Sequence, residues 1–120
     1  MTPKRTSPEP SQPLTYVEFH VLLALADRPL HGYGIMVDTE QRTRGRVTLE
    51  PGNLYRALNR MRERGLVDRA EQPPDGGDDE RRRYYRITDR GRRAAADEAH
   101  RMSELVASAR ARRLLDPGTA

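Results

Sequence analysis

The chain has 120 residues, enough for one small domain with an appended element. Hydrophobic residues make up 35% and charged residues 33%, so an isolated copy has a thin core that burial against a second copy would relieve. The net charge of +4 and a pI near 9.9 favour an anionic partner such as nucleic acid, and the absence of Cys excludes a disulfide frame, a thiol nucleophile and a thiolate metal site.

Residues 1–13 hold Pro3, Pro8, Pro10 and Pro13 among Ser, Thr and charges. They offer too little apolar surface to offset the entropy of ordering, and a disordered tail is predicted. They also lack the apolar core of a signal peptide, and no apolar run reaches membrane-spanning length. A soluble, cytoplasmic protein with no membrane partner is expected.

Thr15 and Glu18 form a Thr-x-x-Glu capping box, and Leu14 with Phe19 supplies the matching hydrophobic staple. A first helix therefore starts here and runs through Val21, Leu22, Leu23, Leu25 and Ala26, stopping before Pro29. It is apolar almost all round, so it should be buried on more than one side. His31-Gly32-Tyr33-Gly34-Ile35 opens a shorter second helix reaching about Arg42, with His31 read as a turn or cap residue. Arg44-Gly45 marks a turn, and residues 47–49 are long enough only for a short strand.

Residues 50–65 carry a third helix. Pro51 suits a first helical position and Gly65 a left-handed end. At 100° per residue Leu54, Ala57, Leu58 and Met61 share one narrow arc. The opposite arc holds Asn53, Tyr55, Arg56, Asn59, Arg60 and Arg62, with Glu63 the one acid. Arg pairs bidentately with guanine and Asn with adenine, so this arc can read base edges and bind phosphates.

After Gly65 a strand is predicted at residues 66–70. Turn chemistry follows at Pro73-Pro74 and Asp75-Gly76-Gly77, and a returning strand at residues 81–88. In that second strand Arg83, Tyr85 and Ile87 alternate with Arg82, Tyr84 and Arg86. Helix, strand, turn, strand is a winged helix-turn-helix, whose hairpin gives a second contact to a DNA backbone. Thr88 and Asp89 open a last helix with Ala95, Ala99, Met102, Leu105, Val106 and Ala109 along one stripe, ended by Asp116-Pro117-Gly118. That helix is too long to lie wholly on so small a domain, and its stripe fits a seam with another subunit.

The expected architecture is mainly α with a small β-wing. It comprises a tail at residues 1–13, a winged helix-turn-helix at 14–88, a dimerisation helix at 89–115 and a short end at 116–120. Asn53, Arg56, Asn59 and Arg60 are assigned to the major groove, and Arg62, Arg64, Arg69, Arg81, Arg82 and Arg83 to phosphates. Tyr55 is compatible with a phosphate contact or with packing on the wing. Asp75, Asp78, Asp79 and Glu80 make the wing tip acidic, which favours the arginines at its base over the tip. Tyr16, Phe19 and Leu23 are assigned to the dimer seam with the last helix's stripe. Tyr16, Phe19, Leu23, Met102 and Val106 are also candidate linings for a small hydrophobic effector. No cofactor or metal is implied: His20, His31 and His100 have no Cys or acid partner at motif spacing, and an enzyme is not expected.

With these elements placed, the chain resembles the PadR family of bacterial transcriptional regulators. The segments are His31-Gly32-Tyr33-Gly34-Ile35; Pro51-Gly52-x-Leu54-Tyr55-x-x-Leu58-x-x-Met61-x-x-x-Gly65-Leu66-Val67; and Arg83-Tyr84-Tyr85-x-Ile87-Thr88-x-x-Gly91-Arg92. Together they span roughly residues 14–93. The resemblance implies a homodimer whose last helix packs on the partner's first, a repressor on a near-palindromic operator, and control by phenolic or other small hydrophobic effectors. The single helix after the wing is similar to the family's short subgroup. Glu50 stands where that family commonly has a small hydroxyl residue, Asn53 where Thr or Ser is usual, and Gly34 where an acid is usual. The alternatives are a MarR-like winged-helix regulator, distinguished by its helix count around the wing, and a protein-interaction winged helix that binds no DNA.

Overall fold

The computed structural model describes residues 12–71 and 83–115. The order is α1 (Tyr16–Leu25), β1 (Leu30–His31), α2 (Gly32–Arg42), α3 (Pro51–Glu63), β2 (Val67–Ala70), β3 (Tyr84–Ile87) and α4 (Asp89–Ala111). The protein is thus mainly helical with a small antiparallel sheet, a winged helix followed by one C-terminal helix. Among the described residues no helix is long and apolar enough to cross a membrane.

The start of α1 is fixed locally. Glu18 N–H donates to Thr15 Oγ1 at 3.1 Å, and Thr15 N–H donates back to Glu18 Oε1 at 2.9 Å. Both staple residues, Leu14 and Phe19, join the apolar core. The helix is buried on more than one side, through Glu18, His20, Val21, Leu22, Ala24 and Leu25, and touches α2, α3, α4 and β3. Its fully buried Leu22 and Leu25 meet Ile35 of α2 and Leu54, Leu58 and Met61 of α3 in one cluster. Burying each such side chain contributes roughly 1.5–3 kcal/mol relative to exposure.

The sheet order is β1-β3-β2, all antiparallel. Val67 faces Ile87 and Ala70 faces Tyr84 across the hairpin, while Leu30 and His31 pair with Tyr85 and Tyr84 on the other edge. Two strand expectations change here. The extended stretch at residues 47–49 joins no sheet; Val47 N–H is satisfied by Thr43 Oγ1 at 3.1 Å instead. The third strand is β1, which follows Pro29. β3 is the central strand, and its Tyr84 and Tyr85 are both buried. Of the predicted returning strand, residues 84–87 are regular, Arg81 and Arg82 lie outside the described residues, and so does the acidic tip at 75–80.

α4 begins inside the core and leaves it. Thr88 Oγ1 accepts from Gly91 N–H at 2.9 Å and donates to Gly65 O at 2.6 Å, so one hydroxyl caps α4 and ties it to the end of α3. Gly91 and Ala94 are the buried residues of this helix. Its 23 residues span about 34 Å. The helix ends at Ala111, before the expected stop at Asp116: Arg113 turns left-handed at φ 64, and Leu114 N–H returns to Ala109 O at 2.8 Å.

Candidate nucleic-acid interface

α3 carries the candidate surface. Its Leu54, Ala57, Leu58 and Met61 are fully buried, which fixes the roll of the helix and turns Asn53, Arg56, Asn59 and Arg62 outward. Pro51 occupies its first turn, and the N-cap residue Glu50 makes no side-chain cap bond. Arg56 Nη2 donates to Asn53 Oδ1 at 2.5 Å, so these two outward side chains are already organised against each other.

Tyr55 lies on the exposed side of α3. It is 44% exposed, but its phenol lies against Gly32, the first residue of α2, where the missing Cβ makes the room. Gly32 therefore makes room for Tyr55, a contact that the sequence reading did not foresee. His31 sits just before it and caps α2, its Nδ1 accepting from Gly34 N–H at 3.0 Å. That bond fixes the unprotonated nitrogen at Nδ1.

Arg60 and Arg64 lean away from the outward arc. Arg60 Nε lies 3.3 Å from Glu18 Oε2, and Arg64 Nη1 lies 3.5 Å from Glu18 Oε1. Glu18 is the second residue whose part the sequence reading missed, since its capping role was visible and its partners 42 and 46 positions away were not.

Next to α3, the hairpin adds cations. Arg69 on β2 is exposed, and its guanidinium lies over the Tyr85 ring at 5.9 Å from the centroid. Arg83 is exposed immediately before β3. Arg86 is engaged with Asp68 across the strands at 3.7 Å.

The candidate seam residues lie on α1 and α4. Tyr16 and Leu23 on α1, and Leu105 and Val106 on α4, are exposed, Leu105 to 70%. Ala99 is exposed, while Phe19, Ala95, Met102 and Ala109 are half-buried. Tyr16 also borders an open cleft of about 380 Å³ with Arg42, Thr43, Arg44, Arg46 and Val47. Within the chain, α4 is held to α1 by Glu98, whose Oε1 accepts from Leu14 N–H at 3.0 Å and from Arg101 at 2.7 Å. The Arg101 bond, then the Leu14 bond, hold the Glu98 carboxyl below its ordinary range. Beneath Tyr16, His20 is buried, with Arg42 Nη1 at 3.3 Å from its Nδ1. Burial, then the Arg42 charge, push the His20 imidazole below its usual range.

Comparison with known proteins places this geometry. The model of the "Transcriptional regulator PadR-like family" matches residues 21–97. Transcriptional regulator Rv3488 of Mycobacterium tuberculosis is 33% identical over 90 residues, which cover 75% of this chain and 78% of the relative. An uncharacterized 37.1 kDa protein of transposon TN4556 from Streptomyces fradiae is 42% identical over 89 residues, 71% of this chain; the match spans 22% of that longer protein. A transcriptional regulator from Clostridium thermocellum superposes with a TM-score of 0.67 at 25% identity, covering 81% of this chain and 88% of the other. Bacillus subtilis PadR, solved in complex with operator DNA, superposes with a TM-score of 0.61 at 18% identity, covering 72% of this chain and 48% of that one.

Proposed function

The chain belongs to the PadR-like family of transcriptional regulators, and from that premise we propose that it binds an operator as a homodimer and acts as a repressor. As a member of that family it is a regulator and not an enzyme. The observation that carries the DNA reading is the division of α3 into a fully buried apolar arc and an outward arc of Asn53, Arg56, Asn59 and Arg62.

In this reading Asn53, Arg56 and Asn59 meet base edges in the major groove. Arg62 contacts phosphate, together with Arg69 and Arg83 at the wing base. The Asn53–Arg56 bond of 2.5 Å fixes the Arg56 fork before DNA arrives, which lowers the entropy lost on binding. Pro51 and Gly52 let the first turn of α3 approach closely, and its uncapped N–H groups suit a phosphate. The fold shared with Bacillus subtilis PadR, a protein solved in complex with operator DNA, supports a DNA-binding reading.

The homodimer reading rests on the outer part of α4, which leaves the core after Ala95, and on the exposed apolar residues Tyr16, Leu23, Leu105 and Val106. Pairing through these would set two α3 helices on one duplex and demand a near-palindromic operator. A small hydrophobic effector lodged among Tyr16, Phe19, Leu23, Met102 and Val106 would release the repressor only by favouring one dimer geometry over the other.

The test is sedimentation at micromolar concentration, followed by gel shift with genomic fragments over a salt series. A dimer that protects discrete fragments is expected. A monomer, or a protein that ignores every duplex at low ionic strength, overturns the proposal. Operator affinity measured against a panel of aromatic effectors decides the induction step, which fails if no compound changes it.

A further inference from the structure

Glu18 is the one buried carboxylate among the described residues. Its side chain is 3% exposed, although it sits in the first turn of a helix whose capping box asks only one oxygen of it. A carboxylate so enclosed needs its remaining lone pairs filled, and α3 fills them. Arg60 Nε stands 3.3 Å from Oε2 and Arg64 Nη1 stands 3.5 Å from Oε1, one helical turn apart.

We propose that Glu18, a residue of α1, sets how many DNA phosphates the recognition helix can neutralise, by retaining Arg60 and Arg64 on the protein. The proposal rests on the DNA-binding reading above. Held on Glu18, neither guanidinium is given over to a phosphate, where α3 alone would present two. Withdrawing either arginine toward a phosphate leaves a buried acid short of a partner, and that loss exceeds what a solvent-exposed phosphate contact returns. Arg60 therefore keeps Nε on Glu18 and offers only its outer edge to solvent, its side chain being 50% exposed.

The consequence is one of sequence-independent affinity. Non-specific affinity comes from phosphate neutralisation, so an acid that withholds two arginines lowers binding to random sequence. Base contacts from Asn53, Arg56 and Asn59 are left untouched. Glu18 is thus a positioning residue that lowers the sequence-independent part of DNA affinity without facing DNA.

Glu18→Gln is the informative variant. Its amide oxygen still accepts from Thr15 N–H, while the charge that holds the two arginines is gone. Binding of the full chain to a random-sequence duplex is titrated across a sodium chloride series. The slope of log affinity against log salt should steepen by about 0.9 for each arginine released, and affinity at low salt should rise. The triple variant E18Q/R60A/R64A should return the slope to that of the wild type. In the wild-type background Arg60→Ala and Arg64→Ala should each leave the slope unchanged, and these surface variants decide the matter even if Glu18→Gln fails to fold. An unchanged slope in Glu18→Gln, or a slope reduced by about 0.9 in either single arginine variant, overturns the proposal. Failure of the wild type to bind any duplex would sink the DNA reading itself, an outcome separate from both.

Discussion

The phenol of Tyr55 on α3 rests on Gly32 at the start of α2, in space that any other residue at position 32 would fill with a Cβ. Gly32 does not adopt a positive φ, so the glycine is there for room and not for backbone freedom. Gly32→Ala should therefore push the Tyr55 ring aside and cost about 1 kcal/mol, the low end of overpacking. In a Tyr55→Ala background the same change should cost close to nothing. Urea denaturation of the four proteins in that cycle measures the coupling. Equal costs of Gly32→Ala in both backgrounds would show that Tyr55 is not the obstacle.

Gly91 makes a harder version of the same contact. A Cβ there would meet the carbonyl oxygen of Leu66, a backbone atom, with the Ile87 side chain close behind. Tyr55 can swing its ring toward solvent, but the Leu66 carbonyl belongs to the α3–β2 junction and already accepts from Thr88 N–H at 3.1 Å. Gly91→Ala should accordingly destabilise more than Gly32→Ala, at the upper end of about 1–3 kcal/mol or beyond. Thermal melts of the two variants side by side test the order.

What could be read from the sequence divides along the same line of local against distant causes. The capping box of Thr15 and Glu18, Pro51 at the start of α3, the left-handed Gly65 at φ 76 and the buried arc of Leu54, Ala57, Leu58 and Met61 all act within a turn or two of themselves. Each was legible. β1 was not, because two residues have no periodicity and are a strand only through their pairing with Tyr84 and Tyr85. Residues 47–49 have strand chemistry but no edge to join. The outward residues of α3 could be named from the helical period. That Arg60 and Arg64 turn to Glu18 depends on how α1 crosses α3, and the spacing of the residues carries no trace of it.

His20 gives the fold a pH dependence of definite sign. Burial and the adjacent Arg42 lower its folded-state pKa below the ordinary value of 6.5. The unfolded chain then binds a proton more readily than the folded one. The contribution is fully present above the unfolded value and is lost as pH falls from about 6.5 toward the lower folded value. The urea midpoint of the wild type should decline across that window more steeply than that of His20→Gln. Parallel curves would mean that His20 takes up no proton on unfolding.

Leu105 separates the seam reading from a merely solvated helix. It is 70% exposed in the single chain, so truncating it in a monomer should change stability by no more than about 0.5 kcal/mol. In a twofold dimer the same residue counts twice. Leu105→Ala removes roughly 2 kcal/mol of apolar burial per copy if the side chain is covered by the partner. The two losses together weaken dimerisation by about a thousandfold. Sedimentation over a dilution series should show that shift, and operator affinity should drop with it, because two half-sites can no longer be held together. Ser103→Ala, also on the exposed outer part of α4, should leave both measurements unchanged. If Leu105→Ala dimerises as the wild type does, the outer turns of α4 are not the seam, and the spacing of the two α3 helices must be set elsewhere.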